Sequence, residues 1–175
     1  MADQSKAAPT GTPNVPGRIV DGMRKAIANP KDHPRAFIRL TASGGTHGEK
    51  YEFEYMIDGT GNITSRMRDE LKGRDCRGRP DADKQADPKR FASLAEAIRI
   101  DSLMGTERAA GGFPPDSVVG RLEISDGEQS VSFAFLADDS QAARAGFRTS
   151  ESLLRAVDVV YQAAAAHLNE KDVRP

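Results

Sequence analysis

Few side chains in this chain could carry acid, base, metal or nucleophilic chemistry: His33, His47, His167, Cys76 and the pair Glu52 and Glu54. The histidines fall in separate segments, and none belongs to a His-Glu-x-x-His spacing, which would put two imidazoles on one helix face to hold zinc. No Asp-rich calcium loop, Gly-x-Ser-x-Gly elbow or P-loop accompanies them. Glu52 and Glu54 stand two residues apart, so on a strand they share one side; that suits an acid/base pair, yet it is ordinary on a solvated face. Cys76, the only cysteine, excludes an internal disulfide. Arg74, Arg77 and Arg79 around it could lower its thiol pKa and favour reactivity, but without a second cysteine or a placed base an exposed thiol with no role is expected. No catalytic, cofactor-binding or metal-ligating residue follows from these patterns, no cofactor is expected, and the chain is not expected to be an enzyme.

The glycines need the same test. Asp58-Gly59-Thr60-Gly61-Asn62 contains a Gly-x-Gly, but a dinucleotide fingerprint needs a third Gly or Ala where Thr64 stands, and then a helix. Ile63, Ser65 and Met67 alternate instead with Thr64, Arg66 and Arg68, so the glycines are expected to turn the chain into another strand.

The elements follow from hydrophobic period. Ala36, Ile38 and Leu40 alternate with Phe37, Arg39 and Thr41, and Tyr51, Phe53, Tyr55 and Ile57 alternate with Glu52, Glu54 and Met56. Period two means strands with one buried face, and the short linker through Gly44 and Gly45 requires an antiparallel hairpin. A second hairpin is expected from Val118, Leu122 and Ile124 against Val131, Phe133 and Phe135, with a bulge or close approach at Gly120. Helical spacing marks Ile19, Val20, Met23 and Ile27, then Phe91, Leu94, Ala95, Ile98 and Leu103 after Asp87-Pro88. The longest helix is expected after Thr149/Ser150, with Leu153, Val157, Val160, Ala164 and Leu168 on its stripe. The fold class is therefore α+β: an antiparallel sheet of about five strands with about three helices on one face. Residues 1–16 are expected as a disordered leader, 17–169 as one domain with a polar loop at 72–88, and 170–175 as a flexible tail.

Charge is segregated along the chain. Residues 1–40, 41–71, 72–90 and 91–175 carry +4, −3, +3 and −5, so basic segments alternate with acidic ones around a net charge of −1. That balance, with few aromatics beside the basic segments, does not suit a nucleic-acid footprint, and none is expected. No segment has the ~20 apolar residues a membrane span needs, and residues 1–16 hold no hydrophobic signal core, so a cytoplasmic protein is expected.

Residues 36–168 resemble emfourin, a small protein inhibitor of thermolysin-type metalloproteases, in Ser43-Gly44-Gly45 after the first strand, Asp126-Gly127 in the late hairpin, and the order of elements. The leader helix and the 72–88 loop lie outside that pattern. The resemblance implies a protease-inhibiting role and assigns no individual residue. The expectation is a soluble, non-catalytic protein-binding module, a regulator, inhibitor or accessory subunit, using Arg39, His47, Glu52 and Glu54 toward an unidentified protein partner. The alternative is a small ligand-binding domain or enzyme with a pocket between sheet and helices. The oligomeric state is open.

Overall fold

The alternating segments build one antiparallel sheet from β1 (Phe37–Gly44), β2 (Tyr51–Asp58), β3 (Ile63–Asp69), β4 (Arg74–Arg77), β5 (Val119–Ser125) and β6 (Ser130–Leu136), in the order β4-β3-β2-β1-β5-β6. The structure, a computed structural model, describes residues 15–79, 86–105, 112–146 and 148–175. Most of the expected disordered leader, and residues 80–85 of the expected polar loop, lie outside that set. The α+β class is as expected. β4 is an addition: Cys76 faces Met67 and Arg74 faces Asp69, so pairing with β3 orders a stretch whose own sequence has no apolar period.

Register explains the core. Ile38, Leu40 and Ala42 on β1 face Ile57, Tyr55 and Phe53 on β2 and Ile124, Leu122 and Gly120 on β5, so one sheet face is continuously apolar and buried. Gly120 lies opposite Phe135, and a Cβ on it would fall 2.3 Å from the Phe135 ring. The expected close approach is thus the aromatic ring lying over the glycine.

That face is covered by helices. α1 (Val15–Ala28) buries Ile19, Met23 and Ala26, and it starts at Val15, inside the expected leader. A short 3-10 turn, Pro30–Asp32, follows it. α2 (Pro88–Ile98) opens with Asp87, whose carboxylate accepts from the Lys89 amide at 3.0 Å, and it packs against both α1 and α5 (Glu151–Leu168). The expected single helix from Pro88 onward is broken at Arg99, which takes a left-handed conformation (φ 55°); α3 (Ile100–Met104) then sets Ile100 and Leu103 into the core. A further short helix, α4 (Asp139–Ala145), is capped by Asp138. In α5, Ser150 caps the Leu153 amide and the stripe of Leu153, Val157, Val160, Ala164 and Leu168 is buried as expected.

The Gly59 and Gly61 pair turns β2 into β3. The Asp58 carboxylate accepts from the Thr60 amide at 2.9 Å, Gly61 has φ +85°, and strand β3 begins at Ile63, so no helix N-terminus exists there to cradle phosphate. A Cβ on Gly59 or Gly61 would fall 2.0 Å from the backbone oxygen of His33 or Asp87, so both glycines also let neighbouring chain pack closely.

Residues 170–175, expected as a flexible tail, lie against the fold. Val173 is 1% exposed, its carbonyl accepts from the Tyr51 hydroxyl, and the Arg174 guanidinium lies 5.4 Å over the Tyr161 ring and pairs with Asp158. Lys72 and Arg74 donate to the carbonyls of Arg174 and Asp172 at 3.2 and 2.9 Å. A single apolar residue anchors this tail, which is too small a signal to stand out in a polar stretch.

Candidate functional site

The second face of the sheet follows from the same alternation, since every residue between two buried ones points the other way. Arg39 on β1 and Glu52 and Glu54 on β2 share this face, as their positions in the period require. β3 adds Arg66 and Arg68, β4 adds Arg77, and β5 adds Arg121 and Glu123. His47 does not join them; it is exposed in the β1–β2 turn, beyond the strand ends.

Ion pairs tie part of this surface together. Arg39 donates to Glu123 at 2.5 Å and stacks its guanidinium over Phe37, and Lys50 lies 2.6 Å from Glu52. The Lys50 hydrogen bond, aided by the charges of Lys50, Arg68 and Arg66 against a small burial cost, holds the Glu52 carboxyl below its usual range. Glu54 lies across from Arg66. Arg66 also faces Arg77 directly on its other side, and among the described residues neither arginine has an ion-pair partner. Like charges placed opposite one another on adjacent strands cost stability, so the Arg66–Arg77 pair is locally repulsive even though Glu54 stands across from Arg66 and Asp75 across from Arg68.

A second feature opens on the helical side. A cleft of about 960 Å³ lies between the β2–β3 end of the sheet, the start of α2 and the last turn of α5, with Tyr55, Ile57, Ile63, Leu94 and Leu168 in its lining and Arg77, Arg79, Lys89 and Arg90 among its polar groups. His167 also lines it, and its Nδ1 lies 2.6 Å from the Ser65 hydroxyl; a Cβ on Gly78 would fall 2.2 Å from both groups, so glycine is what lets the β4 end close over this pair. Burial pushes the Tyr55 phenol up to about 12, with the Arg90 charge acting in the opposite direction.

Cys76 corrects one expectation. An exposed thiol was expected among arginines able to lower its pKa, but its side chain turns toward the core, donates to the Glu170 carboxylate at 3.2 Å and is half-buried. Burial first, then the hydrogen bond and negative charge of Glu170, raise the thiol pKa above its ordinary value, and Arg74 offsets this only in part. Among the described residues, no cluster of three His, Cys, Asp or Glu side chains is placed to hold a metal ion, and no helix is long and apolar enough to cross a membrane.

Arg66 and Arg68 were readable as outward-facing once β3 was recognised. Arg77 was not, because nothing in its own segment marks a strand. The Ser65–His167 contact joins residues 102 apart in sequence, and no local pattern announces it. Comparison with protein-family models and with curated proteins returns no match.

Proposed function

We propose that the chain is a non-catalytic protein-binding module that docks a partner on the open face of its sheet. The observation that carries this reading is the row Glu54, Arg66 and Arg77, where two arginines without an ion-pair partner among the described residues face each other across adjacent strands. A partner presenting carboxylates to that edge would relieve the repulsion and meet the exposed Arg68 beside it. The face carries little apolar area, so the association is electrostatically driven, fast and sensitive to salt. A regulatory, inhibitory or accessory role fits such a surface. The resemblance of residues 36–168 to emfourin makes a thermolysin-type metalloprotease the first partner to try, and inhibition of such a protease is the corresponding activity.

The test uses immobilised full-length protein and its Arg66→Gln/Arg68→Gln variant, exposed in parallel to a thermolysin-type protease and to lysate from the source cells. Wild type is expected to retain a specific protein at low ionic strength and release it as salt rises, and the variant to retain about tenfold less. Equal retention by wild type and variant, or retention indifferent to salt, would overturn the assignment of this face.

A further inference from the structure

We propose that the cleft between the β2–β3 end of the sheet and helices α2 and α5 is a binding site for a small amphipathic anion, a phosphate or carboxylate head on an apolar body. Its size, about 960 Å³, falls within the range of roughly 300 to 1,000 Å³ in which small molecules are held by proteins. The lining divides by chemistry. Ile57, Ile63, Leu94 and Leu168 provide an apolar wall, while Arg79 and Lys89 stand around it with no ion-pair partner among the described residues.

Among the described residues, Asp87 is the only acid lining the cleft, and its carboxylate is already engaged as the cap of α2, accepting from the Lys89 amide. The first turn of that 11-residue helix contains no acidic residue and places Lys89 where the helix's own partial positive charge opposes it. An anion seated beside Lys89 and Arg79 offsets that repulsion, and an apolar body attached to it covers Ile63 and Ala163, the partly exposed apolar residues of the lining. Neither a purely apolar molecule nor a bare inorganic anion satisfies both parts of the lining. Arg77, at the end of β4, borders both the cleft and the open face, so the test of this site rests on Arg79 and Lys89, which lie outside the strands.

Isothermal titration of the full chain with octyl phosphate, octanoate, octanol and inorganic phosphate tests the proposal. At least one of the two anionic alkyl probes is expected to bind saturably at one site, with octanol and inorganic phosphate each at least about tenfold weaker. Which head group binds better distinguishes a phosphate site from a carboxylate site. Arg79→Glu/Lys89→Glu, two exposed positions, is expected to weaken the anionic probe about tenfold or more at unchanged circular dichroism. Ala163→Leu, which adds bulk to the apolar wall, is expected to weaken it as well; if that variant does not fold, the exposed charge pair decides alone. No saturable binding of either anionic probe, octanol binding as tightly, or an unchanged affinity in the charge-reversed variant would overturn the proposal.

Discussion

Gly120 shows how much one missing Cβ can specify. It is paired with Phe135, whose ring occupies the space a side chain would need. Gly120→Val therefore forces the ring out of its position, and a loss of about 1–3 kcal/mol in denaturant unfolding is expected, against a near-neutral Ser132→Val on the other face of the neighbouring strand. A Gly120→Val variant as stable as the parent would show that the ring relocates freely. The position was legible as a place of close approach, since a glycine inside an alternating run weakens the strand unless a bulge or a crowding neighbour requires it. Which ring approaches was not legible, because that depends on the register of a strand pair. Cys76 teaches the opposite lesson. Its sequence neighbours are cationic, but in a strand the immediate neighbours point away, and the group that decides its chemistry is Glu170, brought from beyond the last helix.

At the level of elements, the long periodic segments were readable and the short ones were not. β1, β2, β3, β5, β6 and α5 each repeat a hydrophobic period for several residues, and burial follows that period in the structure. β4 has four residues and exists because β3 offers an edge, and the break between α2 and α3 comes from one backbone conformation at Arg99. A non-glycine residue in the left-handed region costs roughly 1 kcal/mol, which the burial of Ile100 and Leu103 offsets. Arg99→Gly should relieve that cost and leave thermal stability unchanged or raised by up to about 1 kcal/mol, whereas Ala92→Gly in the interior of α2 should lower it by about 1 kcal/mol. Equal losses in both variants would mean that Arg99 is not strained. The open charged face was readable residue by residue from the alternation of Arg39, Glu52 and Glu54. The pairing of Arg66 with Arg77 was hidden with β4.

For the whole molecule, all three tyrosines of the chain are buried: Tyr51 and Tyr161 beside each other under the C-terminal segment, and Tyr55 by the cleft. Burial is the first cause that raises each phenol, to about 12 for Tyr55 and higher for Tyr51 and Tyr161. A raised folded pKa gives stability that is complete below the unfolded value near 10 and is lost as pH climbs past it, because only the unfolded chain can then release the proton. The loss amounts to about 1.4 kcal/mol per tyrosine for each pH unit above 10. Tyrosinate absorbance and circular dichroism are thus expected to change together in one cooperative step above pH 10. A gradual titration centred near 10 with the dichroism unchanged would show that the phenols reach solvent in the native state.

The central strand carries a consequence for biosynthesis. β1 has β2 on one side, delivered by the very next stretch of chain, and β5 on the other, delivered only after α2 and α3 have been made. While a ribosome is still adding residues between Arg77 and Val119, the first four strands can already pair, leaving one margin of Phe37–Gly44 with its amides and carbonyls open. Until β5 arrives to occupy it, that margin can be taken by the same margin of another nascent copy, so crowded translation or a pause before β5 favours aggregation of a sequence that is safe once complete.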